Sequence, residues 1–304
     1  SLSRNTTGIL NIAIGGSSLY NNLSGRNNVA IGKSSLERNI TGADNTAVGN
    51  YSLFNNQTGG NNVGIGKSAL ERNINGSYNV AIGNSSLYNN QASSYLIAIG
   101  YGSQTNNLTG QRNVSLGYQS LFANSGGSDN IAIGYNAFYA GDYNNAIALG
   151  ANAVITADNQ VRIGNSSTTS IGGFTSWTNV SDRRFKENID YKKVPGLEFI
   201  LKLKPAVYNL NISEINKVLK LKGLNERESK EVQTGFIAQE VELAAQEIGY
   251  NFSGLDKPKN ENDYYGLRYA EFVVPLTKAI QEQQKQIDDL KKENDELKKL
   301  KEQV

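Results

Sequence analysis

The apolar and small residues of the first half of the chain recur every 17 positions. Gly15, Gly32, Gly49, Gly66, Gly83, Gly100, Gly117 and Gly134 mark the period. A fixed period held that long is the signature of one supersecondary unit stacked on copies of itself. Three positions before each glycine stands Ile12, Val29, Thr46, Val63, Val80, Ile97, Val114 or Ile131. One position before it stands Ile14, Ile31, Val48, Ile65, Ile82, Ile99, Leu116 or Ile133. Between the two lies a small residue: Ala13, Ala30, Ala47, Gly64, Ala81, Ala98, Ser115 or Ala132. This alternation predicts a short strand with β-branched residues on one face and close packing against the other. The glycine ends the strand where the chain turns.

Four residues after each glycine comes a second apolar anchor: Leu19, Leu36, Leu53, Leu70, Leu87, Leu121 or Phe138, with Gln104 breaking the series. Asparagines recur at Asn22, Asn39, Asn56, Asn73, Asn90, Asn107 and Asn124, the residue type that tolerates turns and bonds nearby backbone. A second glycine comes next at Gly25, Gly42, Gly59, Gly76, Gly110 and Gly127, with Ser93 as the exception. Each unit therefore offers two turns and a thin core. Stacking neighbours adds burial, and joining identical chains adds more. A monomeric β-solenoid and a trimer both fit the repeat. One rung per unit makes a rod about 40 Å long at the strand spacing. After Gly134 the spacing shortens to Gly150 and Gly164, which predicts a tapering cap.

Beyond the cap the composition shifts from Gly and Asn to Lys, Glu and Leu. Asp190 to Leu203 reads as a helix with Val194, Leu197, Ile200 and Leu201 at helical spacing, ended by Pro205. Ala206 to Leu210 reads as a strand, Lys217 to Lys230 as a charged exposed helix or loop, and Thr234 to Val241 as the entry to a helix ending near Ile248. Asp256 to Asn262 is a polar loop. At the end, two series repeat every seven residues: Val273, Ile280, Ile287, Asn294, Lys301 and Leu276, Gln283, Leu290, Leu297, Val304. These are the a and d positions of a coiled coil, with Pro275 in the first turn and Gln283 and Asn294 as polar register devices. A charged amphipathic surface helix is the competing reading, and the seam by itself fits a dimer or a trimer.

The 304 residues carry a net charge of +2, too little for a polyanion binder, so no nucleic-acid partner is expected. No Cys and no His occur, which excludes disulfides, thiolate or imidazole metal sites and Ser-His-Asp chemistry. No cofactor is expected. No apolar run is long enough for a membrane span, so no membrane insertion is expected. A chain that starts at Ser1 and contains no Met reads as a fragment or a processed product.

The N-x-A-I-G units resemble the head repeats of trimeric adhesins and the shaft repeats of phage tail fibres, although the family repeat is often nearer 14 residues. The resemblance implies a parallel β-roll or triple-stranded β-structure, and a homotrimer. The stretch from Arg162 to Gly173, followed by Trp177 and by Ser181-Asp182-Arg183-Arg184-Phe185-Lys186, is similar to the entry of the endosialidase-type intramolecular chaperone. Gly235-Phe236-Ile237-Ala238-Gln239-Glu240-Val241 and Gly266 to Leu276 are second and third matches in the same order. That family implies self-cleavage, with Ser181 as nucleophile, Lys186 as its base and Val180-Ser181 as the scissile bond. Asp182, Arg184 and Glu240 are possible supporting residues. Ser-Asp is also a common helix cap, and Gln239 and Glu240 also read as helix surface.

These readings give a mixed fold: a 17-residue-repeat β-solenoid or fibre shaft (1–150), a tapering junction (151–180), a small α+β chaperone and auto-processing domain (181–275) and a trimeric coiled-coil helix (276–304), whose seam is Leu276, Ile280, Gln283, Ile287, Leu290, Asn294 and Leu297. The expected function is a trimeric phage tail fibre or tailspike segment. It would be folded by a chaperone that cuts itself free, assembled in the host cytoplasm, carried on the virion and directed at a host cell-surface receptor or glycan. The alternative is a bacterial cell-surface trimeric adhesin with the same chaperone. A glycan-degrading spike needs paired carboxylates, and the repeats hold only Glu37, Asp44, Glu71, Asp129 and Asp142, with no plausible pair.

Overall fold

A computed structural model describes residues 1–221 and 231–302. The chain divides into two compact units, one holding Ser1–Ile171 and the other most of the residues beyond it.

In the first unit, ten three-residue strands form one parallel sheet in chain order. They are β1 (Ile12–Ile14), β2 (Val29–Ile31), β3 (Thr46–Val48), β4 (Val63–Ile65), β5 (Val80–Ile82), β6 (Ile97–Ile99), β7 (Val114–Leu116), β8 (Ile131–Ile133), β9 (Ile147–Leu149) and β10 (Val161–Ile163). The register is strict. Ala30 faces Ala47, and Ile97 faces Val114. The last two steps shorten, pairing Ile131 with Ile147 and Ile147 with Val161. The unit is thus a parallel β-solenoid of about 9 turns whose strands pair along their own chain. Its sheet runs on to Ile163, inside the stretch that the sequence assigns to a cap.

The alternation within each strand points the small residue inward. Ala30, Ala47, Ala81, Ala98, Ala132 and Ala148 are wholly buried, while Ile12, Ile14, Ile97, Leu116 and Ile133 stand exposed on the outer face. The reason is width. The leucine four residues after the glycine crosses the interior and meets the strand from behind, so a larger central residue would overfill a close-packed core. Leu19, Leu36, Leu53, Leu70 and Leu87 are also wholly buried, yet they sit at φ between 47° and 54°. Left-handed backbone costs an L-residue about 1–2 kcal/mol. Burying a leucine returns about 1.5–3 kcal/mol, enough to hold the corner.

The asparagines do more than turn the chain. The Asn39 Nδ2 group donates to Asn22 Oδ1 at 2.7 Å and to the Gly42 carbonyl at 2.9 Å. Asn56, Asn73 and Asn90 repeat the first bond at 2.8 Å, so a buried hydrogen-bonded ladder runs from Asn22 to Asn90 and stops there, the Oδ1 atoms of Asn90, Asn107 and Asn124 being buried without a partner. Asn28, Asn45, Asn62 and Asn79 form a second one. At the sixth rung the pattern inverts: Leu96 stands in the second ladder and Gln104 in the leucine column. Gln104 Nε2 donates to the Ile97 carbonyl at 2.9 Å and to Ser115 Oγ at 2.8 Å, while its Oε1 is buried without a partner. The apolar core is split there into a cluster ending at Ala98 and another starting at Leu121.

The second unit holds helices α1 (Leu197–Ile200), α2 (Ile212–Val218), α3 (Ala238–Glu247) and α4 (Val273–Glu302). An antiparallel pair joins β11 (Ala206–Asn209) to β12 (Val232–Gly235), and another joins β13 (Leu255–Asp256) to β14 (Gly266–Leu267). Phe199, Val241, Ala244, Ala245, Phe252 and Phe272 make its core. The expected helix over Asp190 to Leu203 shrinks to α1. Pro195 disfavours helical backbone at Val194, and Gly196 starts the helix instead. Its first amide, Leu197 N–H, donates 2.7 Å to the Glu282 carboxylate of α4. Of the charged stretch Lys217 to Lys230, the first residues close α2, and 222–230 lie outside the described residues.

Pro275 lies in the first turn of α4, as expected, and with Ala279 it forms the buried side of that helix. Leu276, Ile280, Ile287, Leu290 and Leu297 lie on a different side, all exposed. Val304 lies outside the described residues. No helix among the described residues is long and apolar enough to cross a membrane.

Candidate functional site

The site is a single tight turn. Asp182 caps a one-turn 3-10 helix, Arg183–Phe185, by accepting from the Arg184 N–H at 2.8 Å. The turn folds the chain back, and Arg183 Nη1 holds the Lys186 carbonyl at 2.9 Å. Two residues five apart in sequence are thereby brought together, and Lys186 Nζ donates to Ser181 Oγ at 2.7 Å. Ser181 and Lys186 are both exposed, and so is Val180 before them.

The supporting residues fall out differently. The Arg184 guanidinium takes both carboxylate oxygens of Asp182, with its closest contact at 2.8 Å. That pairing holds the Asp182 carboxyl below the usual carboxylate range and raises Arg184. Asp182 therefore shapes the turn and makes no bond to Ser181 or Lys186. Glu240 lies in the first turn of α3, and among the described residues its side chain makes no hydrogen bond or ion pair. Arg183 was not singled out by sequence. Its only signal is its place in the turn, where its reach to the Lys186 carbonyl depends on backbone geometry.

A second polar cluster joins α3 to the loop between β13 and β14. Glu242 accepts from Tyr265 Oη at 2.8 Å and pairs with Lys257 at 2.5 Å. The hydrogen bond from Lys257, then that from Tyr265, lowers the Glu242 carboxyl, and the Tyr265 hydroxyl is raised in turn. This cluster ties the loop to the helix.

A peptidase family model described as chaperone of endosialidase matches residues 181–250. The match opens on Ser181 and runs through the 3-10 turn, α1, β11, α2, β12 and α3. It supports an intramolecular chaperone at the level of the family, and self-cleavage is consistent with it. The solenoid and α4 lie outside the matched residues. No curated protein matches the chain.

Proposed function

We propose that the second unit is an intramolecular chaperone that aligns three copies of the chain, lets their solenoids form, and then cuts itself away at Val180-Ser181. The observation that carries this is the 2.7 Å bond from Lys186 Nζ to Ser181 Oγ, formed at the first residue of the family match. A serine hydroxyl becomes a nucleophile when a neighbour takes its proton. Lys186 receives that proton, and Ser181 Oγ attacks the Val180 carbonyl carbon. The C–N bond breaks as a proton is returned to the Ser181 nitrogen, leaving an ester between Val180 and Ser181 Oγ. Water hydrolyses the ester to the Val180 carboxylate and restores the serine hydroxyl.

A lysine serves as a base near neutral pH when its ammonium is desolvated. In the single chain Lys186 faces solvent. Assembly that covers the turn would supply the desolvation, so cleavage comes after assembly rather than preceding it.

Two exposed apolar surfaces support assembly. One is the outer face of the solenoid sheet, with Ile14, Ile31, Ile65, Leu116 and Ile133 in one column. The other is the α4 seam of Leu276, Ile280, Ile287, Leu290 and Leu297, punctuated by Gln283 and Asn294. Surfaces of this kind mark interaction sites, and heptad spacing suits a coiled coil of this helix with its copies. Parallel strands stacked in one register are slow to nucleate, which gives an aligning chaperone its purpose. We place the assembly in a phage tail fibre or tailspike, built in the host cytoplasm, with the solenoid directed at a host receptor or glycan.

The test is a denaturing gel of the full chain. The parent should give two fragments, residues 1–180 and 181–304. Ser181→Ala and Lys186→Gln should each give one intact band. Equal processing of parent and both variants would remove the dyad from the mechanism.

A further inference from the structure

The turn that holds the dyad has no core of its own. None of Arg183–Phe185 is buried, and Ser181 and Lys186 on either side of it are exposed. Packing therefore cannot fix the distance from Ser181 to Lys186, and the bonds within the turn have to do it. The backbone supplies two, from Phe185 N–H to the Asp182 carbonyl at 3.1 Å and from Lys186 N–H to the Arg183 carbonyl at 3.2 Å. Lys186 itself has left the helical geometry, with φ −115° and ψ 125°. The turn alone then sets no direction for its side chain.

Arg183 supplies what the backbone leaves open. Its carbonyl accepts from the Lys186 N–H, and its guanidinium donates from Nη1 to the Lys186 carbonyl at 2.9 Å. The peptide groups on both sides of the Lys186 Cα are thus held by one residue. Fixing both fixes the direction in which the Cα–Cβ bond leaves the backbone, and from there the side chain reaches Ser181 Oγ at 2.7 Å. The neighbouring guanidinium is not available for this, because Arg184 is paired with the Asp182 carboxylate. A lysine stem is long and flexible in solvent, so where it starts determines how often its amine meets the hydroxyl.

We propose that Arg183 is a positioning residue for self-cleavage, aiming the Lys186 amine at Ser181 by clamping both sides of Lys186. Among the described residues, its side chain makes no bond to Ser181 or to Lys186 Nζ. The inference rests on the dyad reading of the proposed function and adds the residue that brings the dyad together.

The test follows self-cleavage of the full chain made by cell-free synthesis, which starts the clock at translation. Samples are split between native and denaturing gels, and the rate is taken on the assembled species, so slow assembly is not read as slow cleavage. Arg183→Met keeps the apolar stem and loses the donor, and should cut about tenfold more slowly than the parent. Arg183→Lys restores a donor and should come back to within about threefold of the parent. Position 183 is exposed, and circular dichroism checks that both variants fold. Arg183→Met at the parent rate overturns the inference and leaves the dyad standing. Arg183→Lys as slow as Arg183→Met overturns it as well, because a donor to the Lys186 carbonyl would then not be what the site needs. A parent that stays intact like Ser181→Ala overturns the dyad reading and the inference together.

Discussion

Replacing Gly83 with alanine tests how the solenoid is built. Gly83 sits at φ 131°, a conformation L side chains rarely adopt. A Cβ there would lie 2.5 Å from the Gly100 carbonyl oxygen and 2.6 Å from its carbon. Both neighbours are backbone, so no side chain can swing aside. The rungs are also pinned, because Gly83 N–H donates to the Ile65 carbonyl and Gly100 N–H to the Ile82 carbonyl, each at 2.7 Å. The strained backbone costs about 1–3 kcal/mol, and the overlap adds about 1–3 kcal/mol. Gly83→Ala should therefore destabilise by about 2–6 kcal/mol, concentrated at the interface between two rungs. Gly16→Ala is the matched control. No atom lies within 4 Å of its Cβ position and its φ is not left-handed, so it should be neutral or stabilise by about 0.4–1 kcal/mol through the unfolded chain. Urea unfolding of both variants at one fixed protein concentration makes the comparison. If Gly83→Ala unfolds at the parent midpoint, the rungs are not packed backbone against backbone.

The same geometry sets three more outcomes. Gln104→Leu with Ser115→Ala restores the leucine and alanine of the neighbouring rungs and removes the orphaned Oε1, so it should raise the unfolding free energy by about 1–3 kcal/mol. Leu53→Ala empties a wholly buried site and should cost about 2–5 kcal/mol in the same assay. In the second unit, Lys257 and Tyr265 hold the Glu242 carboxyl below its usual range. Its contribution is therefore complete above the ordinary glutamate pKa of about 4.3 and is lost as pH falls through the lowered folded value. Acid titration of Glu242→Gln should show a shallower loss of stability below about pH 4.3 than the parent; an identical acid limb would count against that contact.

Much of the fold was legible because it repeats. The glycine ruler located β1 to β8 to the residue, and the leucine column named the interior. The small residue at the centre of each strand marked the closely packed face, and Ala30, Ala47, Ala81, Ala98 and Ala132 are wholly buried there. Here the width of the rung decides, so the alanines face in and the isoleucines out. Asn39 and its equivalents read as turn residues, since a ladder between rungs depends on stacking that one unit does not reveal. The helix expected over Asp190 to Leu203 failed at Pro195 and Gly196, where local backbone preference outweighs apolar spacing. At the site, the serine and lysine were legible only through resemblance. A spacing of five has no preferred geometry until a 3-10 turn closes it, and the bond from Arg183 to the Lys186 carbonyl depends on that closure. Asp182, read as a partner of the dyad, is taken by Arg184 two residues away.

The proposed alignment of three chains by their C-terminal parts is the step on which the proposed assembly and cleavage depend. Native mass spectrometry of the full-length Ser181→Ala chain measures it without interference from cleavage. A single species near three times 33.0 kDa that persists at micromolar concentration is the expected result. A folded species at 33.0 kDa under the same conditions would contradict it.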